Sequence, residues 1–227
     1  MAKKSFLKKL CLLVLLTGMT TMQTHAQKLL KNEPVKFLAL GDSYTIGESV
    51  AELQRWPVQL VNALMLLGFT CHQPEIVAVT GWRTDNLKKA ISERNLPKDF
   101  NLVSLLIGVN NQYQGKSEEA YATEFEELLK MAIEYGSGMK SHVFVLSIPD
   151  YGHTPFGKEK QSEISRQIDA FNEINKVVAK RFGVTYINIT DISRQGLDDP
   201  ELVAEDGLHP SGKMYALWVE RILEVLR

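Results

Sequence analysis

The chain has 227 residues, with 26 basic against 27 acidic side chains and a formal net charge of −1. That balance offers no basic excess for a nucleic acid or an anionic membrane surface, so neither is the expected partner. With 44% hydrophobic residues and two cysteines, the fold must rest on an apolar core rather than on a disulfide framework.

The first 26 residues stand apart. Lys3, Lys4, Lys8 and Lys9 form a positive start, residues 10–16 are a short apolar run, and Thr24-His25-Ala26 ends on a small side chain before Gln27. This is the layout of a secretory signal peptide cleaved after Ala26. The apolar run is too short to span a bilayer comfortably. Cys11 lies inside that run, a position that does not suit a lipid anchor. Cleavage removes four Lys and no acid, leaving 22 basic and 27 acidic residues, a net of −5. It leaves Cys71 alone, so no internal disulfide forms. Residues 27–227 then read as a single exported domain, periplasmic or extracellular, with no stable membrane insertion.

Residues 27–34 are a polar lead-in and 35–40 an apolar strand that stops at Gly41-Asp42-Ser43. Residues 44–53 read as a loop of mixed polarity, and 56–68 as a helix with Pro57 in its first turn and Gly68 at its end. A second strand over 75–79 closes at Thr80-Gly81, followed by a helix over 83–94. A third strand over 102–107 closes at Gly108-Val109-Asn110-Asn111. Residues 117–135 place Tyr121, Phe125, Leu128, Leu129 and Ala132 at helical spacing. The fourth strand, 142–148, closes at Pro149-Asp150; a long amphipathic helix covers 159–181, and the fifth strand 184–189. A polar loop from 191 to 209 leads to Pro210 and Ser211, which open a last helix. Strands separated by helices are parallel, with right-handed crossovers and helices on both faces. The expected fold is an α/β three-layer αβα sandwich on a five-stranded parallel sheet.

In such a sheet the carboxyl ends of the strands face one crevice. A nucleophilic serine there needs a base, a residue to orient the base, and donors for an oxyanion. Ser43 is the candidate nucleophile. Asp206-Gly207-Leu208-His209-Pro210 supplies the base and its partner: the spacing lets the carboxylate fold back onto His209 Nδ1 while Nε2 points outward. Asp150-Tyr151-Gly152-His153 has the same spacing after a strand. It is a rival for the dyad, ranked second because it would leave the 206–209 turn idle. Candidate oxyanion donors are the backbone N–H of Ser43, the backbone N–H of Gly81, where glycine permits a close approach, and the side-chain amide of Asn110.

Gly41-Asp42-Ser43, Gly81, Gly108-Val109-Asn110 and Asp206-Gly207-Leu208-His209-Pro210, in that order, resemble the four blocks of the SGNH or GDSL-like hydrolases. The resemblance implies the flavodoxin-like SGNH fold, Ser43 as nucleophile, Asp206 and His209 completing the triad, Gly81 and Asn110 as oxyanion residues, and no cofactor or metal. It departs from the family at Tyr44, where a Leu is usual, and at Asn111, where an Asp is common; the latter removes a charge-assisted hydrogen bond beside the site.

The expected substrate is a small-molecule or saccharide ester. Export, the lack of an apolar lid segment, and Tyr44, Trp82, Tyr113 and Tyr151 as stacking surfaces favour a short acyl group on a carbohydrate. Asp42, Asn111, Asp150 and His153 complete the candidate substrate contacts, although Asp42 also reads as a residue that shapes the turn. The alternatives are a lysophospholipase or thioesterase, or a carbohydrate-binding protein without turnover on the same scaffold.

Overall fold

The computed structural model describes residues 32–226; the proposed signal peptide lies outside them. Five strands, β1 (Phe37–Gly41), β2 (Glu75–Ala78), β3 (Leu102–Leu106), β4 (Val143–Leu146) and β5 (Thr185–Ile187), form one sheet in the order β2-β1-β3-β4-β5. Every pairing is parallel. This is the flavodoxin-type order, with its switch point between β1 and β3. The central strands β1, β3 and β4 are buried throughout, which is why they read as unbroken apolar runs. The edge strands β2 and β5 carry partly exposed residues.

Among the described residues eight α-helices accompany the strands, the last two following β5: α1 (Ser43–Ile46), α2 (Trp56–Leu66), α3 (Thr84–Glu93), α4 (Val109–Tyr113), α5 (Glu118–Tyr135), α6 (Gln161–Phe182), α7 (Thr190–Ser193) and α8 (Gly212–Leu226). Helix α2 packs on α8, and α5 packs on both α3 and α6, so helices cover both faces of the sheet. The α2/α8 layer is built on Trp56 against Phe37, with ring centroids 5.8 Å apart, and Trp218 against Tyr215 at 4.9 Å. The opposite layer centres on Tyr121 of α5 against Phe171 of α6 at 4.5 Å.

Three segments depart from expectation. The 44–53 segment begins as helix: Asp42 Oδ1 caps α1 by accepting the Tyr44 N–H at 3.1 Å, and Gly47 ends the turn in the left-handed region. The turn after β3 is likewise helical, as α4. The 191–209 loop holds most of α7 and a 3₁₀ turn over Pro200–Leu202, capped by Asp199. Its acidic residues Asp199 and Glu201 both pair with Lys213, at 2.9 and 2.7 Å.

Two glycines hold the strand ends together. A Cβ on Gly41 would lie 2.2 Å from Thr45 Oγ1 and 2.5 Å from the Leu106 carbonyl, so the nucleophile turn sits directly on β3. Gly108 has φ +129°, and a Cβ there would meet the Tyr121 hydroxyl at 2.4 Å. That hydroxyl is held between the Ile107 carbonyl at 2.9 Å and Asn175 Oδ1 at 2.6 Å. Any larger residue at 108 would therefore combine backbone strain with a clash.

Candidate active site

Ser43 is the first residue of α1, directly after β1, and is 4% exposed. Its position follows from the turn: β1 delivers it to the carboxyl edge, and the Asp42 cap begins a helical turn there. The side chain opens on a cavity of about 200 Å³, lined also by Tyr44, Thr80, Gly81, Val109, Asn110, Tyr113, Tyr151, Phe156, Leu208 and His209. Residues from the ends of four strands and from the long loop after the fifth therefore converge on the edge that the parallel topology shares.

His209 Nδ1 lies 2.6 Å from Asp206 Oδ2. Asp206 is an acceptor, so Nδ1 carries the proton and Nε2 is left as the base. Asp206 Oδ1 accepts the backbone N–H groups of Leu208 and His209, both at 2.9 Å, and Oδ2 also accepts the Ser49 hydroxyl at 2.6 Å. Burial alone would raise the Asp206 pKa, but these hydrogen bonds from Ser49, the His209 ring and the two amides outweigh it and hold the carboxyl well below its usual range. Asp206 thus stays ionised and able to stabilise an imidazolium. The Ser43 hydroxyl makes no hydrogen bond among the described residues; it and His209 meet as walls of the same cavity. Such contacts are often long in unliganded sites and tighten around substrate.

The backbone N–H groups of Ser43 and Gly81 likewise have no partner among the described residues. Gly81 has φ +83°, and nothing lies within 4 Å of the place its Cβ would take. Its glycine character therefore serves backbone conformation, whereas the sequence suggested a close approach. Asn110 donates one amide N–H to the Trp82 carbonyl at 2.9 Å. That bond orients the side chain and leaves its second N–H available. Together these are three donors on one cavity rim, an arrangement able to hold a developing oxyanion.

The remaining candidates divide. Tyr44, Tyr113 and Tyr151 line the cavity. The Tyr44 ring meets His209 edge-on with centroids 5.8 Å apart, backing the base. Tyr113, Tyr151 and Phe156 form a triangle of rings with centroids 6.1–6.4 Å apart. Trp82 is half-buried against the core, and only its carbonyl serves the site. Asn111 is buried and spent on Thr84, accepting its backbone N–H at 3.1 Å and donating to its hydroxyl at 2.6 Å. It holds the start of α3 and does not face the cavity.

The rival dyad comes apart. Asp150 is 0% exposed. Its carboxylate accepts from Arg194 Nε and from the Gly152 N–H, each at 2.9 Å. His153 approaches it only to 3.8 Å and lies instead against the Gln161 amide at 3.0 Å. Both residues brace the loop that carries Tyr151 and are absent from the cavity wall.

Asp42 also leaves the list of substrate contacts, being 1% exposed, with an Oδ2 that has no partner among the described residues. Burial, opposed by the backbone amides of Tyr44, Asp42 itself and Gly108, pushes its pKa up to about 7 from an ordinary 3.8. Between those values the folded protein keeps a proton that the unfolded chain has released. The contribution to stability is full below the lower pKa, is lost as pH rises through the window, and levels off above about 7. Asp42→Asn should remove this slope, of about 1.4 kcal/mol per pH unit at most. Urea unfolding of both proteins at several values across the window checks it; identical pH dependence would refute it.

Reading by sequence missed Ser49, Thr80 and Phe156. Phe156 left one signal, a second aromatic beside Tyr151 in the loop after the fourth strand. It is 53% exposed, beside Tyr113 at 60%.

Among solved structures the chain resembles TesA, with a TM-score of 0.65 and 18% identity over 86% of this chain and 98% of that one. A member of the lipolytic G-D-S-L family from Veillonella parvula gives 0.65 and 18%, over 84% and 97%. An acetyl xylan esterase from Geobacillus stearothermophilus gives 0.63 and 17%, over 85% and 94%. Likeness at this identity shows the fold. No curated protein matches the sequence. The family assignment comes from the sequence match over residues 39–217, which spans the strand ends, the cavity and the Asp206–His209 turn: the chain belongs to the GDSL-like lipase/acylhydrolase family and is an ester hydrolase of that family.

Proposed function

We propose that the protein is an exported serine esterase that removes short acyl groups, acetyl foremost, from a carbohydrate. The observation that carries the serine mechanism is the shared cavity: Ser43, His209, Gly81 and Asn110 all line it, and Asp206 holds His209 from behind. In the proposed reaction Ser43 Oγ attacks the ester carbonyl as His209 Nε2 takes its proton. The carbonyl electrons move to an oxyanion held by the N–H groups of Ser43 and Gly81 and the Asn110 amide. The imidazolium then protonates the leaving alcohol. Water, deprotonated by the same nitrogen, cleaves the acyl-enzyme and returns the serine.

The short-acyl reading is supported by size and lining. A cavity of about 200 Å³ falls below the ~300–1,000 Å³ of pockets that enclose a drug-sized ligand. It suits one small acyl group with the alcohol half lying across the rim. There the exposed rings of Tyr113 and Phe156 offer faces on which a sugar stacks. One fold neighbour, represented by two variant structures, is an acetyl xylan esterase. The leader-like residues 1–26 support export.

The test is a chain-length profile with p-nitrophenyl acetate, butyrate, octanoate and palmitate, and with acetylated xylan. It uses protein recovered from the exported fraction, whose N-terminus is expected at Gln27. The acetate and butyrate esters should show the highest kcat/KM, with acetate released from xylan. A maximum at octanoate or palmitate would overturn the short-acyl reading in favour of a lysophospholipase or thioesterase.

A further inference from the structure

The loop that follows the nucleophile turn is tied to three parts of the site. The backbone N–H groups of Gly47 and Glu48 both donate to the Ser43 carbonyl, at 3.0 and 3.1 Å. The Glu48 carboxylate accepts from the Thr80 hydroxyl, next to Gly81. Ser49 Oγ donates to Asp206 Oδ2 at 2.6 Å, across 157 positions of sequence, and onto the same oxygen that holds the His209 ring.

Ser49 reaches Asp206 from an uncommon backbone. Its φ is +64°, in the left-handed region that non-glycine residues enter at a cost. Such a residue persists where its surroundings over-determine it, and these cases cluster at functional sites. Glycine or asparagine would occupy the position more easily. What serine adds is a short hydroxyl aimed at the carboxylate.

We propose that Ser49 is a positioning residue that fixes the Asp206 carboxylate for His209. The inference rests on the reading of Ser43, His209 and Asp206 as the catalytic set. Two backbone amides hold Oδ1, and Ser49 supplies the only donor besides His209 itself among the described residues on Oδ2. The Asp206 side chain is 31% exposed, so water competes for Oδ2 once that hydroxyl is gone. The carboxylate then gains freedom to turn, and the imidazole loses its fixed aim. Ser49 does not line the cavity, so the effect falls on turnover and not on substrate binding.

The experiment compares Ser49→Gly, Ser49→Thr and Ser43→Ala by kinetics on p-nitrophenyl acetate and by thermal unfolding. Glycine takes the positive φ without strain but lacks the hydroxyl. Its Tm should equal or exceed the parent's, while kcat falls about tenfold at unchanged KM, the scale of one hydrogen bond to a charged group. Threonine keeps the hydroxyl on a β-branched side chain that strains this backbone. Its Tm should fall, while kcat recovers most of what glycine lost. Parental kcat in Ser49→Gly overturns the proposal, as does a kcat that simply follows Tm across the two variants. A Ser43→Ala variant as active as the parent removes the triad reading itself. An inactive Ser43→Ala beside a fully active Ser49→Gly removes only the role of Ser49.

Discussion

Ser43→Ala is expected to lower kcat on p-nitrophenyl acetate by about 10⁴- to 10⁶-fold, the scale seen when a nucleophile is deleted from a triad of this kind. The loss should be chemical rather than structural. The Ser43 hydroxyl makes no hydrogen bond among the described residues, and the residue is buried in the cavity wall. Alanine therefore leaves the turn, the Asp42 cap and the packing of β1 on β3 in place. The unfolding temperature should stay within the range of a neutral substitution, and KM should change far less than kcat. Residual activity from the oxyanion donors and binding sets the floor. Nearly equal rates for the two proteins would take Ser43 out of the mechanism, and no hydrolysis above the uncatalysed rate by either would revive the alternative of a binding protein on a hydrolase scaffold.

The second large effect separates the two Asp-x-x-His turns. His209→Ala should cost about 10⁴- to 10⁶-fold in kcat, comparable to Ser43→Ala, because the two act as one unit. The double variant should therefore be little worse than either single one. His153→Ala should leave kcat within about threefold, as expected of a residue outside the reacting atoms. The reason lies in partners, not in spacing. Asp206 presents its Oδ2 to His209 at 2.6 Å, whereas Asp150 is committed to Arg194 and Gly152 and stands 3.8 Å from His153. His153→Ala should mainly loosen the loop bearing Tyr151, visible as a lower Tm. A dead His153→Ala protein beside an active His209→Ala protein would move the base to the Asp150–His153 turn.

Much of the architecture was legible because its signals are local. A buried parallel strand is a short apolar run bounded by turn residues, and all five were placed within a residue or two of their observed ends. One error fell where a single capping contact decides. Asp42 turns residues 43–46 into helix, a choice that one side chain makes and periodicity does not show. The site was legible in its parts. Ser43, Gly81 and Asn110 each follow a strand end, and the topology brings such positions to one edge; His209 carries the Asp-x-x-His spacing in the long loop after the last strand. Their neighbours were not. Asn111 and Trp82 follow Asn110 and Gly81 immediately, yet one turns inward to Thr84 and the other offers only its carbonyl. Adjacent residues on a turn point in different directions, and sequence distance does not say which faces the cavity.

By itself the sequence determined the five-stranded αβα plan, the serine nucleophile candidate and a choice of two histidine turns, since apolar periodicity, glycine punctuation and Asp-x-x-His spacing are written in consecutive residues. Only the tertiary structure pairs His209 with Asp206 while committing Asp150 to Arg194, leaves Asp42, Asn111, Asp150 and His153 off the cavity wall, and brings Phe156 to that wall and Ser49 to Asp206. Those outcomes depend on contacts between segments distant in the chain, such as Arg194 on Asp150 across 44 positions and Ser49 on Asp206 across 157. A carboxylate takes whichever donors the fold brings within reach, and that competition is settled in three dimensions.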